Sequence, residues 1–154
     1  KMNKKIFTLP FLVPLFLFNS GFIFKPKLRA FSCGDYIHLA KSNQELLKIQ
    51  EEILIFDPKG NSYQYDYFSN KVSPEKLKVI EGVNLNLKKS YLEGSNFYLD
   101  YNVIINSVPA TMQIILDYDK KTFNSSYTIY GSTQYMQQLN CKEIKFPKDT
   151  KFEY

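Results

Sequence analysis

Histidine and arginine occur once each in the 154 residues, cysteine occurs twice, and the first 32 residues contain no acid. Each scarcity excludes something. A single histidine, His38, cannot supply a zinc centre, which needs three or four nitrogen or sulfur ligands at close spacing. It is expected to be an ordinary surface or partly buried residue. A single arginine, Arg29, leaves the chain without the planar fork preferred for phosphates and base edges, so nucleic acid is not an expected partner. The two cysteines, Cys33 and Cys141, have no C-x-x-C spacing, which argues against a redox-active thiol. Glycine-rich phosphate loops, G-x-S-x-G and EF-hand loops are also missing. Neither a cofactor nor a metal is expected, and no catalytic motif is visible.

The acid-free opening is informative for what it contains instead. An apolar run from Ile6 to Phe24, 19 residues long, lies between Lys4-Lys5 and the trio Lys25, Lys27 and Arg29. Residues 1–32 are therefore read as an export signal, with an uncleaved membrane anchor through residues 6–24 as the alternative. Ala30-Phe31-Ser32 offers small residues for cleavage before Cys33. It also bears on a lipoprotein site, although Phe31 and the preceding cations fit that poorly. The leader holds six of the 20 basic residues and none of the 15 acids, so residues 33–154 carry 14 bases against 15 acids. The basic balance belongs to the leader; the remaining domain is close to neutral.

Residues 33–154 suffice for one domain with a real core and are too few for two. In an oxidising compartment the isolated cysteine pair is expected to form one disulfide, Cys33–Cys141, enclosing nearly the whole domain. The expected location is exported, periplasmic or extracellular, and the chain is expected to be a monomer touching membrane only through its N-terminal segment.

Strand periodicity dominates this domain. Glu52–Phe56 and the alternating Tyr63, Tyr65 and Tyr67 flank the turn cluster Asp57-Pro58-Lys59-Gly60-Asn61, which predicts a hairpin. Val83, Leu85 and Leu87 alternate with polar residues, as do Phe97, Leu99, Tyr101, Val103 and Ile105. Residues 111–118 and 123–130 flank a polar turn, and residues 133–144 complete the pattern. One or two short helices are expected, the candidates lying after the capping box at Ser42–Glu45 and from Ser73-Pro74-Glu75 to Gly82. The tail beyond Pro147 is expected to fray. The predicted fold is mainly β: an antiparallel meander of six or seven strands curled into a small barrel or half-barrel, with one or two short helices. A two-sheet sandwich is the alternative.

Tyrosine is the abundant side chain with binding potential, 12 residues in all. Its flat ring and hydroxyl suit sugars, aromatic ligands and protein surfaces, although tyrosine is also at home in ordinary sheets. Tyr63, Tyr65, Tyr67 and Tyr101 are the candidate ligand-binding residues. The expectation is a non-catalytic binding domain for an apolar or sugar-like ligand; the alternative is a structural or interaction module meeting another envelope protein. Glu51-Glu52, Asp100 and Asp117-x-Asp119 are the carboxylates that a hydrolase or calcium site would have to use. Asn124-Ser125-Ser126 is a formal glycosylation sequon.

Overall fold

A computed structural model describes residues 27–34, 52–80 and 83–154. The described residues form eleven strands: β1 (Arg29–Cys33), β2 (Glu52–Phe56), β3 (Ser62–Asp66), β4 (Lys71–Pro74), β5 (Leu77–Ile80), β6 (Val83–Glu93), β7 (Asn96–Ile105), β8 (Val108–Asp117), β9 (Thr122–Ile129), β10 (Ser132–Ile144) and β11 (Lys151–Phe152). They make one sheet in the order β11-β4-β3-β2-β1-β10-β9-β8-β7-β6-β5. Every pairing is antiparallel except that of β11 with β4.

Alternation decides which face goes inward. Phe97, Leu99, Tyr101 and Val103 of β7 are buried, as are Ile114 and Leu116 of β8, while Tyr98, Asp100, Asn102 and Ile104 point the other way. Phe31 of β1 and Leu54 and Phe56 of β2 join the same core. The Phe56 ring stacks on Phe97 at 4.4 Å between centroids and lies 5.9 Å from Phe31. Strands far apart in the order therefore face each other, and the sheet is bent over this main core.

The strip β1–β4 is apolar on its reverse face as well. Ala30, Ile55, Tyr63 and Val72 form a second cluster there, covered by Leu28, Tyr65, Ile144 and Phe146. Cys33 and Cys141 stand opposite each other on β1 and β10, buried, 4.0 Å apart at Cα and joined as a disulfide. That bond agrees with an oxidising, exported setting. No helix among the described residues is long and apolar enough to cross a membrane.

Three expectations need correction. The mainly antiparallel β class holds, but the sheet is open, ending among the described residues in β11 and β5, and its described strands number eleven rather than six or seven in a barrel. The described residues contain no helix. Where Ser73-Pro74-Glu75 signalled a helix start, the chain forms β4 and β5, separated only by Glu75 and Lys76. The Glu75 N–H donates to the Ser62 carbonyl and the Leu87 N–H to the Lys76 carbonyl, so ladder partners distant in sequence override the local cap. The other predicted helix, at 42–51, lies outside the described residues, as does His38. The tail is not frayed: Lys151 N–H donates to the Asn70 carbonyl, Glu153 N–H to the Val72 carbonyl, and Thr150 is buried. The first strand of the sheet in chain order begins at Arg29.

The β2–β3 turn ties local chemistry to stability. Asp57 is buried and accepts hydrogen bonds from the Lys59 and Asn61 N–H groups, from Asn61 Nδ2 and from the Tyr63 hydroxyl. Burial alone would raise its carboxyl, but these four donors outweigh that and hold it below the usual carboxylate range. A depressed folded-state pKa means stability that is present above the unfolded value of about 4 and lost as pH falls through the folded value. The urea midpoint is expected to drop on acidification below about pH 4 more steeply in the parent protein than in Asp57→Asn. Parallel pH profiles for the two proteins would contradict this.

Candidate functional site

The four candidate tyrosines do not form one pocket. Tyr101 is buried in the main core with its hydroxyl donating to Glu75 Oε1 at 2.6 Å. Burial first, then the charge and hydrogen bond of Glu75, push that hydroxyl far above its ordinary value. Tyr63, Tyr65 and Tyr67 lie on the reverse side of the β1–β4 strip. Tyr63 donates to Asp57 and Tyr65 to Asn70 Oδ1, and Tyr67 meets Tyr65 edge-on at 4.9 Å. These three belong to a run of aromatic contacts continued by Phe146, Phe152 and Tyr154, which clasps the tail to the strip.

A groove of about 680 Å³ adjoins the clasp, bounded by Lys27–Ala30, Glu143–Pro147 and Phe152. It sits where the undescribed upstream chain joins the sheet.

The acidic candidates are also dispersed. Glu52 pairs with Lys78. Burial works to lower the Lys78 ammonium, but the nearby Glu52 and Glu75 charges prevail and raise it. Asp117 accepts from the Asp119 and Lys120 N–H groups and so shapes the turn between β8 and β9. Those bonds, that of Lys120 first, lower its carboxyl. Asn124-Ser125-Ser126 lies within β9. Among the described residues no group of three or more His, Cys, Asp or Glu is placed to hold a metal ion.

Asp100 is different, because it belongs to a built surface. The outward-facing residues Lys89, Asp100, Gln113, Ser126 and Tyr135 stand side by side across β6, β7, β8, β9 and β10. Gln113 Nε2 donates to Asp100 Oδ1 at 2.9 Å, which fixes both planar groups. The adjacent row is Asn102, Thr111, Thr128 and Thr133, with the two threonine hydroxyls of β9 and β10 2.8 Å apart. A cavity of about 470 Å³ opens over these rows and is lined also by Tyr101 and Met112.

Both flanks of that cavity are shaped by β-bulges. The β6 register shifts between Leu87 and Lys89, and the β10 register shifts between Tyr135 and Gln137. Lys88, the extra residue of the first bulge, and Tyr135, at the start of the second, both line the cavity. A bulge interrupts strict alternation and re-aims the side chains beside it. Here two bulges, on strands with three others between them, place a cation and a ring on opposite sides of the Asp100–Gln113 pair. The Tyr135 side chain is 86% exposed, leaving its ring free for contact. One row further along, Tyr91 and Tyr98 stack at 4.7 Å with Lys89 Nζ 4.3 Å above the Tyr91 ring. Burial, then Asp100, raises the Tyr91 hydroxyl.

No family model, curated protein or solved structure matches the chain. Function must therefore be argued from this geometry. The cavity offers one carboxylate, one amide, several hydroxyls, a lysine and an exposed ring, a set suited to holding a hydroxyl-bearing molecule. Among the described residues lining the cavity, Asp100 is the one carboxylate. Of the residues lining the cavity the sequence singled out Asp100 and Tyr101, and Ser126 only as part of the sequon. Gln113, Ser126 and Thr133 look like ordinary solvent-facing strand positions, and neither bulge leaves a local mark that alternation would reveal.

Proposed function

We propose that the chain is an exported, non-catalytic binding domain. Its ligand is sugar-like and lies on the outer face of β6–β10 rather than against the tyrosines of the β1–β4 strip. The observation carrying this reading is the coincidence of the two bulges on one row, with Lys88 and Tyr135 flanking the Asp100–Gln113 pair. In the proposed complex a pyranose ring stacks on Tyr135, and its hydroxyls exchange hydrogen bonds with Asp100, Gln113 and Ser126.

The test is an array of neutral and acidic oligosaccharides, followed by calorimetry on any hit. Tyr135→Ala is expected to weaken binding about tenfold, roughly 1.4 kcal/mol, and Gln113→Ala about fivefold or more. Stability of the Tyr135 variant should stay within about 0.5 kcal/mol of the parent, because the side chain is exposed. A blank array would sink the sugar reading, and a hit indifferent to both substitutions would sink the site.

The second reading, an envelope interaction module, draws on a different observation. Leu77, Val79 and Ile104 are all more than half exposed. Val79 and Ile104 share a row through Asn84 at the β5 end of the sheet, a modest apolar patch of the kind protein contacts use.

A further inference from the structure

We propose that Arg29–Ser32 remain in the mature protein, so the Ser32–Cys33 peptide bond is not a processing site and any leader ends upstream of Arg29. The sequence alone points the other way, since Ala30-Phe31-Ser32 supplies the small residues that a cleavage site wants.

The sheet makes that cut untenable for a folded product. β1 is an interior strand, paired with β2 on one side and β10 on the other. Cleavage before Cys33 would remove four of its five residues. Ala30, Phe31 and Ser32 are each at most 2% exposed. Phe31 packs in the main core and Ala30 in the reverse-face cluster, so the cut would open both.

Arg29 is equally bound into the fold. Its Nε and Nη2 donate to the two Glu143 oxygens at 2.8 and 3.1 Å, and its guanidinium lies 5.0 Å from the Phe31 ring and 4.8 Å from the Tyr118 ring. The forked pair and ring stacking are what guanidinium does and ammonium does not, which explains why the single arginine falls here. Lipidation of Cys33 is excluded on the same grounds, because it would need the same cut and its sulfur is bonded to Cys141.

The cations accompany the solution. Lys25, Lys27 and Arg29 separate the apolar run from the Ala30-Phe31-Ser32 site, whereas an export signal places its cleavage site close behind the apolar stretch. The proposal holds whether the upstream segment is removed or retained.

The deciding measurement is the intact mass of the protein purified from its native host, with the N-terminus sequenced. A chain starting at residue 29 or earlier, full length included, supports the proposal. A folded, exported chain starting at any residue from 30 to 33, lipidated or not, overturns it. Refolding of two truncated chains gives an independent reading. The chain from Lys27 is expected to retain the parent's cooperative urea transition, and the chain from Cys33 to lose it. Equal midpoints for the two would also overturn the proposal.

Discussion

Substituting both cysteines by alanine is expected to lower the unfolding free energy by about 2–5 kcal/mol, the largest loss available from a single covalent link in this chain. Cys33 and Cys141 are 108 residues apart, and a loop of that length corresponds to about 4.7 kcal/mol in the chain-entropy treatment. Residual structure in the unfolded chain reduces that value. The location of the bond adds to its weight. β1 and β10 lie side by side in the sheet although their paired positions are 108 residues or more apart, so their pairing carries the greatest loop-closure cost among the described strands. The disulfide removes that cost from the folding equilibrium. Because both sulfurs are buried in the main core, the alanine pair also leaves a small cavity. Urea unfolding followed by tyrosine fluorescence checks the expectation, and reduction of the parent protein should approach the double variant. A midpoint shift worth less than about 1 kcal/mol would mean that the unfolded chain already holds these segments together.

Gly60→Ala is expected to cost about 3–4 kcal/mol, close to the loss of a large core side chain. Two effects add. Gly60 has φ of +83°, a region in which a Cβ is strained by about 1–2 kcal/mol. The added methyl would also stand 2.7 Å from the Leu92 nitrogen and 2.9 Å from Tyr91 Cα and carbonyl carbon. Those are backbone atoms of β6, held in register by β7, and they cannot rotate away as a side chain would. Gly94→Ala is the control. It has φ of +58° and nothing within 4 Å of the new Cβ, so only the conformational part, about 1 kcal/mol, should appear. Equal losses at the two glycines would show that the β2–β3 turn does not press on β6.

Much of the β domain can be read from residues 83 to 144. There, inward and outward positions alternate over long strands, and the turns between them are short and polar. Asn106 and Ser107 take positive φ, as do Tyr130 and Gly131, and these are two-residue hairpin turns of the type whose twist suits antiparallel strands. The Asp57–Asn61 turn was legible for the same local reason: Asp57 caps its own loop. The cysteine count foretold the disulfide, since two isolated cysteines have only each other.

The elements that escaped the sequence all draw their partners from far away. β1 looks like the end of a leader because its residues are apolar and follow cations; only β2 and β10 make it a strand. Pro74-Glu75 has the local form of a helix start, but Glu75 is fixed by Ser62 and Tyr101, 13 and 26 residues distant. β11 is two residues long and exists because β4 presents an open edge. The candidate site has the same character. Asp100 and the richness in tyrosine were visible, yet Gln113, Ser126, Lys88 and Tyr135 converge only through cross-strand register and two bulges.

Class, disulfide pairing and local turns were thus determined by the sequence alone, because each depends on residues within one turn or one alternation of each other, or on a count of two. Strand order, the inclusion of Arg29–Ser32 in the sheet and the composition of the cavity were decided by the tertiary structure. Those depend on which strands lie side by side, and neither side-chain periodicity nor spacing along the chain encodes a neighbour a hundred residues away.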